Sequence, residues 1–216
     1  MITDLKQTQV SSYNKSLTKR IFDLGLFVII FIPLFPLLFI TSVLIRIFFC
    51  PSIFFIQKRV GKNGKIFKIL KFRTMIKEAE NERLRYIYLN ETDGPVFKIR
   101  NDPRFTKIGK LLSRTGLDEL PQFINVLKGE MSLVGPRPLP TYEFNKLTEK
   151  QKIRNLVKPG ITSLWVINGS HNLSFNEWMR LDKRYVEEAN LLMDINIIFK
   201  TILIPIKTLI NIVFYN

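Results

Sequence analysis

The feature that most constrains this chain is an uncharged apolar segment near its N-terminus. From Leu24 to Ile45 no residue carries a charge, and a helix of that length reaches across the hydrocarbon core of a bilayer. Pro33 and Pro36 lie in the middle of the segment. A proline inside a helix removes one backbone donor and favours a sharp bend. The segment therefore predicts a membrane helix that is broken near these prolines.

The charges beside this segment favour a hairpin over a spanning helix. Basic residues occur on both sides of it, namely Lys15, Lys19 and Arg20 before it and Arg46, Lys58, Arg59, Lys62, Lys65 and Lys68 after it. Loops rich in lysine and arginine tend to stay on the cytoplasmic side of a membrane. A helix–break–helix hairpin keeps both flanks there, so we predict a re-entrant hairpin over residues 19–50. A simple transmembrane anchor is the alternative.

A second apolar pattern ends the chain. Apolar residues recur at helical spacing on one face between Ile195 and Phe214, and Pro205 falls inside this run. The pattern fits a helix packed on the core and, equally, an amphipathic helix lying in the membrane interface. Our fold-class prediction adopts the interfacial helix, over residues 195–216.

Composition limits the chemistry. Lysine and arginine number 33 against 18 aspartates and glutamates, a net charge of +15, which predicts anionic partners such as lipid headgroups, nucleic acid or phosphorylated substrates. Cys50 and His171 are the only cysteine and histidine, which excludes an intramolecular disulfide and a Cys/His zinc site. A metal, if bound, should be a hard cation held by carboxylates and phosphates.

Between the two apolar segments the chain is predicted to be α+β and mostly helical. Apolar runs on either side of the Gly61–Gly64 turn predict a β-hairpin. Helices are predicted over Lys77–Leu89, Glu143–Val157 and Ser174–Asn190, the last capped by Asn172 or Ser174. The predicted units are a polar segment (1–18), the re-entrant hairpin (19–50), a compact cytoplasmic domain (51–194) and the interfacial helix (195–216).

Candidate catalytic residues are densest in LDELPQFINVLKGEMSLVGPRP, from Leu117 to Pro138. Asp118 and Glu119 are adjacent carboxylates just before Pro121, a residue tolerated in the first turn of a helix. This predicts the pair at or beside a helix start, where an anion such as phosphate is favoured. Arg137, held between two prolines, presents a guanidinium suited to phosphate.

Further cations support phosphoryl chemistry. They are Lys71 and Arg73 in KFRTM and Lys98, Arg100 and Arg104 in FKIRNDPR. One carboxylate of the pair can attack phosphorus and form an acyl phosphate. The other can hold Mg²⁺, which screens the repulsion between the attacking anion and a diphosphate.

In these residues the sequence resembles the monotopic phosphoglycosyl transferases, bacterial sugar transferases that initiate the assembly of capsule, exopolysaccharide, O-antigen or glycoprotein glycans. The matching blocks follow in family order and cover nearly the whole chain: KRIFDL, QKRVGKNGKIFKILKFRTM, GPVFK, DPRFTKIG, LDELPQFINVLKGEMSLVGPRP and KPGIT. The resemblance implies a catalytic domain on the cytoplasmic face of the bacterial inner membrane.

The resemblance also implies roles for individual residues. Asp118 would take the phospho-sugar from a UDP-sugar and release UMP, and Glu119 would position Mg²⁺. Lys71 and Arg137 match positions associated with phosphate binding, and Arg73 and Arg104 are further candidates. Pro36, with Pro33 nearby, would mark the membrane break. The implied acceptor is a polyprenyl (undecaprenyl) phosphate in the lipid; later glycosyltransferases are candidate partners, and nucleic acid is not expected.

Three departures from the family pattern concern the donor. Ser163, Val166 and Ser170 stand where a glycine, a glutamine and an arginine are usual. One alternative is a catalytically weak or inert relative that acts as a membrane-bound scaffold, which a turnover measurement would decide. Another is a non-enzymatic binder of anionic ligands, which gives no reason for LDELPQ beside VGPRP. Asp118, Glu119 and Arg137 remain, so we expect an active enzyme.

Overall fold

The computed structural model describes residues 9–48, 52–169 and 173–214. Cys50, Ser170, His171 and Asn172 lie outside these residues, as do the side chains after Pro205. The α-helices are α1 (Ser12–Lys15), α2 (Leu17–Phe48), α3 (Lys107–Thr115), α4 (Phe123–Leu127), α5 (Thr141–Phe144), α6 (Leu164–Ile167), α7 (Phe175–Glu188) and α8 (Leu191–Phe214). The strands are β1 (Phe54–Val60), β2 (Ile66–Phe72), β3 (Ser132–Val134) and β4 (Gly160–Thr162), and 3-10 helices span Lys62–Gly64, Asn81–Leu89, Leu117–Gln122 and Gln151–Leu156.

The predicted α+β, mostly helical fold class is confirmed at this level. The predicted β-hairpin is also confirmed, because β1 and β2 pair antiparallel around a turn at Lys62–Gly64. In this register Phe55 pairs with Lys71 and Arg59 pairs with Phe67. The other sheet is small and parallel, pairing Ser132 with Gly160 and Val134 with Thr162.

Helix α2 contains the long apolar segment. It is not interrupted at Pro33 or Pro36, since both lie inside the helix, and a proline removes only its own donor while neighbouring turns keep theirs. The expected break is thus not confirmed, and the re-entrant path stays a prediction. In the part of the chain that the structure describes, no helix is long and apolar enough to cross a membrane.

Helix α8 begins earlier than predicted, at Leu191, and continues through Pro205. Asp194 and Ile197 are fully buried, whereas Ile195, Phe199 and Ile202 are exposed. One face therefore packs on the core and another presents apolar side chains to the outside, so each alternative describes part of the helix. Its placement in the membrane interface stays a prediction.

Two helix predictions need correction. Residues 77–89 contain a 3-10 helix only from Asn81, kinked at Tyr86, rather than a helix from Lys77. The predicted helix Glu143–Val157 is wrong, because α5 ends at Phe144 and a separate 3-10 helix begins at Gln151. Thr148 explains the restart: its amide N–H donates to the Gln151 side chain and its hydroxyl accepts from the Gln151 amide, an arrangement typical of helix starts.

The prediction for residues 174–190 is confirmed by α7. Ser174 caps this helix and forms a capping box with Glu177, which satisfies two backbone donors that would otherwise lack partners. Trp178, Asp182 and Tyr185 lie on the buried face of α7. The helix therefore directs an aromatic ring and a carboxylate toward the interior of the domain.

The main core joins both apolar helices to the domain. Phe27 of α2, Phe123 of α4, Val134 of β3, Tyr185 of α7 and Ile197 of α8 belong to one buried cluster. Arg20 adds a polar link, since its Nη1 and Nη2 atoms donate to the carbonyls of Val126 (2.6 Å) and Leu127 (2.9 Å) at the end of α4. The helices predicted to meet lipid are thus packed against the elements that surround the carboxylate pair.

Candidate active site

The carboxylate pair follows a tight turn. Helix α3 ends at Thr115 and is capped by Gly116, whose φ of 72° is left-handed, a conformation that glycine adopts without the steric cost of a side chain. The 3-10 helix Leu117–Gln122 starts directly afterwards, with Asp118 and Glu119 in its first turn. The pair was predicted at a helix start, and this is confirmed, although the helix is 3-10 and not α.

Two cations reach Glu119 from other elements. Lys71 Nζ, from β2, lies 2.6 Å from Glu119 Oε1, and Arg137 Nη2, from the loop after β3, lies 2.6 Å from the same oxygen. No other described residue donates a hydrogen bond to Glu119 Oε2 or to the Asp118 carboxylate. The structure thus brings Asp118, Glu119, Lys71 and Arg137 together, as the sequence predicted.

The surroundings of the two carboxyl groups shift their pKa values in opposite directions. Burial raises the pKa of Asp118 from 3.8 to about 6; Lys71 opposes this rise and the negative charge of Glu119 adds to it. Burial acts to raise the pKa of Glu119 as well, but Arg137 and Lys71 outweigh it and hold that pKa well below its usual range. Neighbouring carboxyls with pKa values pushed apart are suited to different roles.

The loop that presents Arg137 is held from three sides. The Gly135 amide donates to the Thr162 carbonyl at 3.0 Å, and a Cβ at Gly135 would approach the Lys158 carbonyl oxygen to 2.5 Å, so only glycine fits there. Arg154 Nη2 donates to the Arg137 carbonyl at 2.5 Å. Arg59 Nη1 donates to the Pro138 carbonyl at 2.9 Å. The guanidinium of Arg137 is thus presented from a fixed backbone.

Arg154 is itself anchored by an acid. Its Nη2 lies 3.0 Å from Asp182 Oδ2 on α7, and both side chains are buried. Burial raises the pKa of Asp182 to about 6, against the opposing effect of Arg154. Helix α7 therefore supports the Arg137 loop through a buried ion pair.

A large cavity surrounds these groups. Its volume is about 1270 Å³. The polar part contains the carboxylate pair, Lys71 and Arg137, and the cavity continues to apolar residues of the two long helices, among them Ile30 and Leu34 of α2 and Ile198, Ile202 and Pro205 of α8. One continuous space therefore joins the charged site to the helices that are predicted to meet lipid.

Arg73 and Arg104, the other predicted phosphate-binding residues, also line this cavity. They differ in how far their guanidinium groups are already hydrogen-bonded. The Nε atom of Arg73 is buried without a hydrogen-bond partner. The guanidinium of Arg104 is already engaged, with Asp102 at 2.5 and 2.9 Å and with the Ala79 carbonyl at 2.8 Å. Phosphate contacts of both arginines stay predictions, and the geometry favours Arg73.

Several cavity residues were not predicted as part of the site. Trp165 and Trp178 stack with ring centroids 4.3 Å apart, and Lys98 Nζ lies 5.6 and 5.5 Å from the two rings. Arg59 was expected only as one of the basic residues that follow the apolar segment. A period-two reading of β1 would have found it, because Phe55 pairs with Lys71 and alternate residues share a face. The tryptophans carried no such signal, since they come from α6 and α7.

Two of the three departures from the family pattern, Ser163 and Val166, are among the described residues. Val166 lines the large cavity, and Ser163 is buried with its Oγ atom lacking a hydrogen-bond partner. Ser170 lies outside the described residues, so its relation to the donor stays a prediction.

The described residues supply some, but not all, of the oxygen ligands that a hard cation needs. No group of three or more Asp, Glu, His or Cys side chains arranged for a metal occurs within residues 9–48, 52–169 and 173–214. Glu119 Oε2 and the Asp118 carboxylate still offer oxygens that accept no hydrogen bond from another described residue. Mg²⁺ is commonly held by one or two carboxylates together with waters and substrate phosphates, so the pair suits Mg²⁺ only when a phosphate completes its coordination.

A carboxylate pair held by two cations, in a cavity that continues to two apolar helices, suits phosphoryl chemistry. Residues 14–208 match the family model described as bacterial sugar transferase. The chain belongs to this family.

Named relatives agree with this membership. The chain is 46% identical over 167 residues to the galactosyl transferase CpsE of Streptococcus agalactiae serotype III, covering 74% of this chain and 37% of the relative. It is 36% identical over 190 residues to the exopolysaccharide production protein ExoY of Sinorhizobium fredii, covering 86% and 84%. It is 36% identical over 209 residues to the UDP-glucose:undecaprenyl-phosphate glucose-1-phosphate transferase of Escherichia coli K12, covering 93% and 42%. Against CpsE and the E. coli protein, the chain spans less than half of the relative's length.

Proposed function

We propose that this protein transfers a sugar-1-phosphate from a UDP-sugar to polyprenyl phosphate, such as undecaprenyl phosphate, and releases UMP. The observation that carries this proposal is the buried Asp118 beside Glu119, which Lys71 and Arg137 hold at 2.6 Å. The cavity that contains them continues to α2 and α8, which suits a lipid acceptor. The reaction would be the first membrane step in assembling a bacterial surface polysaccharide or glycoconjugate.

In the first step a carboxylate oxygen of Asp118 attacks the phosphorus that bears the sugar. The bond from this phosphorus to the bridging oxygen breaks, and UMP leaves with the electron pair. Asp118 then holds the phospho-sugar as an acyl phosphate. In this proposal Arg137 and Lys71, which lie beside the carboxylate pair, stabilise the negative charge that develops on the phosphoryl oxygens, and Arg73 contributes a further cation.

In the second step an oxygen of the polyprenyl phosphate attacks the same phosphorus. The phosphorus–oxygen bond to Asp118 breaks, which restores the carboxylate and yields the polyprenyl diphosphate sugar. The apolar residues of α2 and α8 in the cavity wall, such as Leu34 and Ile202, are suited to the prenyl chain near the phosphate.

Glu119 is the residue proposed to hold Mg²⁺, together with the donor diphosphate. A bound Mg²⁺ would neutralise charge on the diphosphate and its leaving group. Lys71 and Arg137 keep Glu119 ionised, as its lowered pKa indicates, so the carboxylate is available to a cation throughout the working pH range.

The proposed position is at the cytoplasmic face of the bacterial inner membrane, with the apolar faces of α2 and α8 in lipid and both ends of α2 on the cytoplasmic side. Cysteines introduced at Lys15 and Lys62 in a Cys50→Ser background test this placement. A reagent that cannot cross the membrane should label both from the cytoplasmic side. Labelling from opposite sides would contradict the re-entrant path.

Acceptor-free labelling tests the two-step chemistry. Purified protein incubated with Mg²⁺ and a UDP-sugar labelled in the sugar should become labelled at Asp118, and polyprenyl phosphate should remove the label. Asp118→Asn should abolish labelling and UMP release. Label that persists in Asp118→Asn would overturn the assignment of the nucleophile.

A UMP-release assay over a panel of UDP-sugars separates the enzyme from an inert scaffold. The matched control is Glu149→Gln, which removes a partly exposed acid paired with Lys152 and leaves the carboxylate pair intact. Turnover in this control and none in Asp118→Asn supports the proposal. No turnover by the wild-type protein with any UDP-sugar and polyprenyl phosphate would favour the scaffold.

A further inference from the structure

A second, smaller cavity lies at the start of α2. Its volume is about 150 Å³, and its lining shares no residue with the large cavity. Five of its lining residues are basic, and one, Asp23, is acidic. The basic residues are Lys15, Lys19, Arg20, Lys62 and Lys158.

Two of these cations are already engaged. Lys19 Nζ lies 3.1 Å from Asp23 and 2.6 Å from Asp194, and Arg20 donates to two carbonyls of α4. The acid in the cavity wall is therefore already paired. The described residues of the cavity lining include no second acid that could pair with the other lysines.

Lys15, Lys62 and Lys158 form no ion pair with any residue that the structure describes. Burial lowers the pKa of Lys158, and the nearby charges of Arg20, Lys62 and Lys19 lower it further, against Asp23. A Cβ on Gly129 would lie 3.6 Å from Lys158 Nζ and 3.8 Å from Arg20 Nη2, so these two cations flank one small space. Cations gathered from α2, the hairpin turn and the segment before β4 repel one another, and an anion between them would relieve that repulsion.

The cavity lies where the apolar surface begins. On α2, Leu17 and Ile21 are 79% and 69% exposed, on either side of Lys19 in sequence. On α8, Leu192 is 78% exposed, two residues before the Asp194 that binds Lys19. Exposed apolar side chains at the level of buried and clustered charges are typical of the boundary between acyl chains and headgroups.

We propose that this basic cavity binds the phosphate of an anionic phospholipid headgroup, at a site separate from the donor and acceptor site. The phosphate lies among Lys15, Lys62 and Lys158, and the acyl chains run along Leu17 and Ile21. Clustered lysines and arginines at a membrane surface recognise anionic lipids in this way. The bound lipid fixes the depth of α2 and does not depend on the reaction catalysed.

Nanodiscs of defined composition test the site with the full-length protein. The probe is phosphatidylglycerol, added as a minor component to phosphatidylcholine discs, and the readout is the thermal unfolding midpoint. Phosphatidylglycerol should raise the midpoint of the wild-type protein. Lys62→Gln/Lys158→Gln should lose this rise completely, whereas Lys146→Gln/Lys150→Gln, which removes two exposed lysines elsewhere, should keep it.

Each other outcome overturns the proposal. An equal rise in both double variants would mean that phosphatidylglycerol acts through general surface charge. A rise produced by inorganic phosphate in pure phosphatidylcholine discs, lost in Lys62→Gln/Lys158→Gln, would make free phosphate the ligand. If the double variant does not fold in phosphatidylcholine, Lys62→Gln alone is compared with Lys146→Gln; an unchanged rise in Lys62→Gln would then reject the site.

Discussion

Two buried charge clusters in this protein differ in how fully their hydrogen bonds are satisfied. In the first, which we call the helix-anchoring cluster, Lys19 lies between Asp23 and Asp194. Tyr13 and Tyr185 donate to Asp194 at 3.1 and 2.8 Å. Ser132 and the Leu133 amide donate to Asp23 at 3.0 and 3.2 Å.

The cluster at the candidate active site is left open. Both cations share one oxygen of Glu119, while Asp118 receives no hydrogen bond from another described residue and Arg73 Nε has no partner. A buried polar network with all partners present rigidifies a fold. Missing partners in a cavity mark where a ligand supplies the rest. The first cluster therefore positions α2 and α8, and the second is left open to a ligand.

Breaking the helix-anchoring cluster should have the largest effect on stability. Lys19→Met leaves two buried carboxylates without a cation, and loss of one partner from a buried pair costs about 3–5 kcal/mol. Chemical denaturation of the detergent-solubilised protein measures this loss. Lys107→Met, an exposed lysine at the start of α3, is the control and should change the free energy of unfolding by less than about 0.5 kcal/mol. Similar small losses in both variants would show that the cluster does not anchor the helices.

Asp118→Asn should change the free energy of unfolding in the opposite direction to Lys19→Met and stabilise the protein. The pKa of Asp118 is raised from 3.8 to about 6, so the folded state loses stability as pH rises from about 4 through 6. With about 1.4 kcal/mol per pKa unit, the amide should gain up to about 3 kcal/mol above pH 6 and nothing below pH 4. Denaturation curves at the two pH values give the difference.

Asp182→Asn is the matched comparison, because burial also raises the pKa of that acid to about 6, against the opposing effect of Arg154. The same linkage applies, so this amide variant should also gain stability above pH 6 and nothing below pH 4. A gain in Asp182→Asn without one in Asp118→Asn would show that Lys71 and Arg137 offset the burial of Asp118.

The sequence predicted the site better than the helices around it. Asp118, Glu119, Lys71 and Arg137 are adjacent or lie in short motifs, and the structure brings them together. Helix boundaries near Thr148 depended on one side-chain cap that periodicity does not report. Arg154, Asp182 and the two tryptophans are far apart in sequence. Tertiary packing alone pairs Arg154 with Asp182 behind the Arg137 loop and brings the two tryptophans to the cavity.

Glu119→Gln should reveal a smaller effect, on Mg²⁺ use. The amide keeps the shape but loses the charge that Lys71, Arg137 and a hard cation need. The Mg²⁺ concentration for half-maximal UMP release should rise roughly tenfold, the effect of about 1.4 kcal/mol. Glu143→Gln is the control, since this buried acid lines the same cavity and burial raises its pKa. An equal change in both variants would remove the special role of Glu119.

The smallest expected effect concerns the pH at which the nucleophile becomes ionised. Asp118 attacks as a carboxylate, so acceptor-free labelling should fall as pH drops through about 6, the pKa of the buried group. Lys71 lowers that pKa, and Lys71→Gln should therefore move the acid limb of the labelling rate to higher pH, by about one unit. Lys68→Gln, an exposed residue of the same strand, should leave the limb in place. Because each profile is normalised to its own maximum, loss of phosphate contacts in Lys71→Gln lowers the rate without moving the limb. A limb that stays near pH 6 in Lys71→Gln would show that Lys71 acts on Glu119 alone, and the open cluster would then consist of two independent groups.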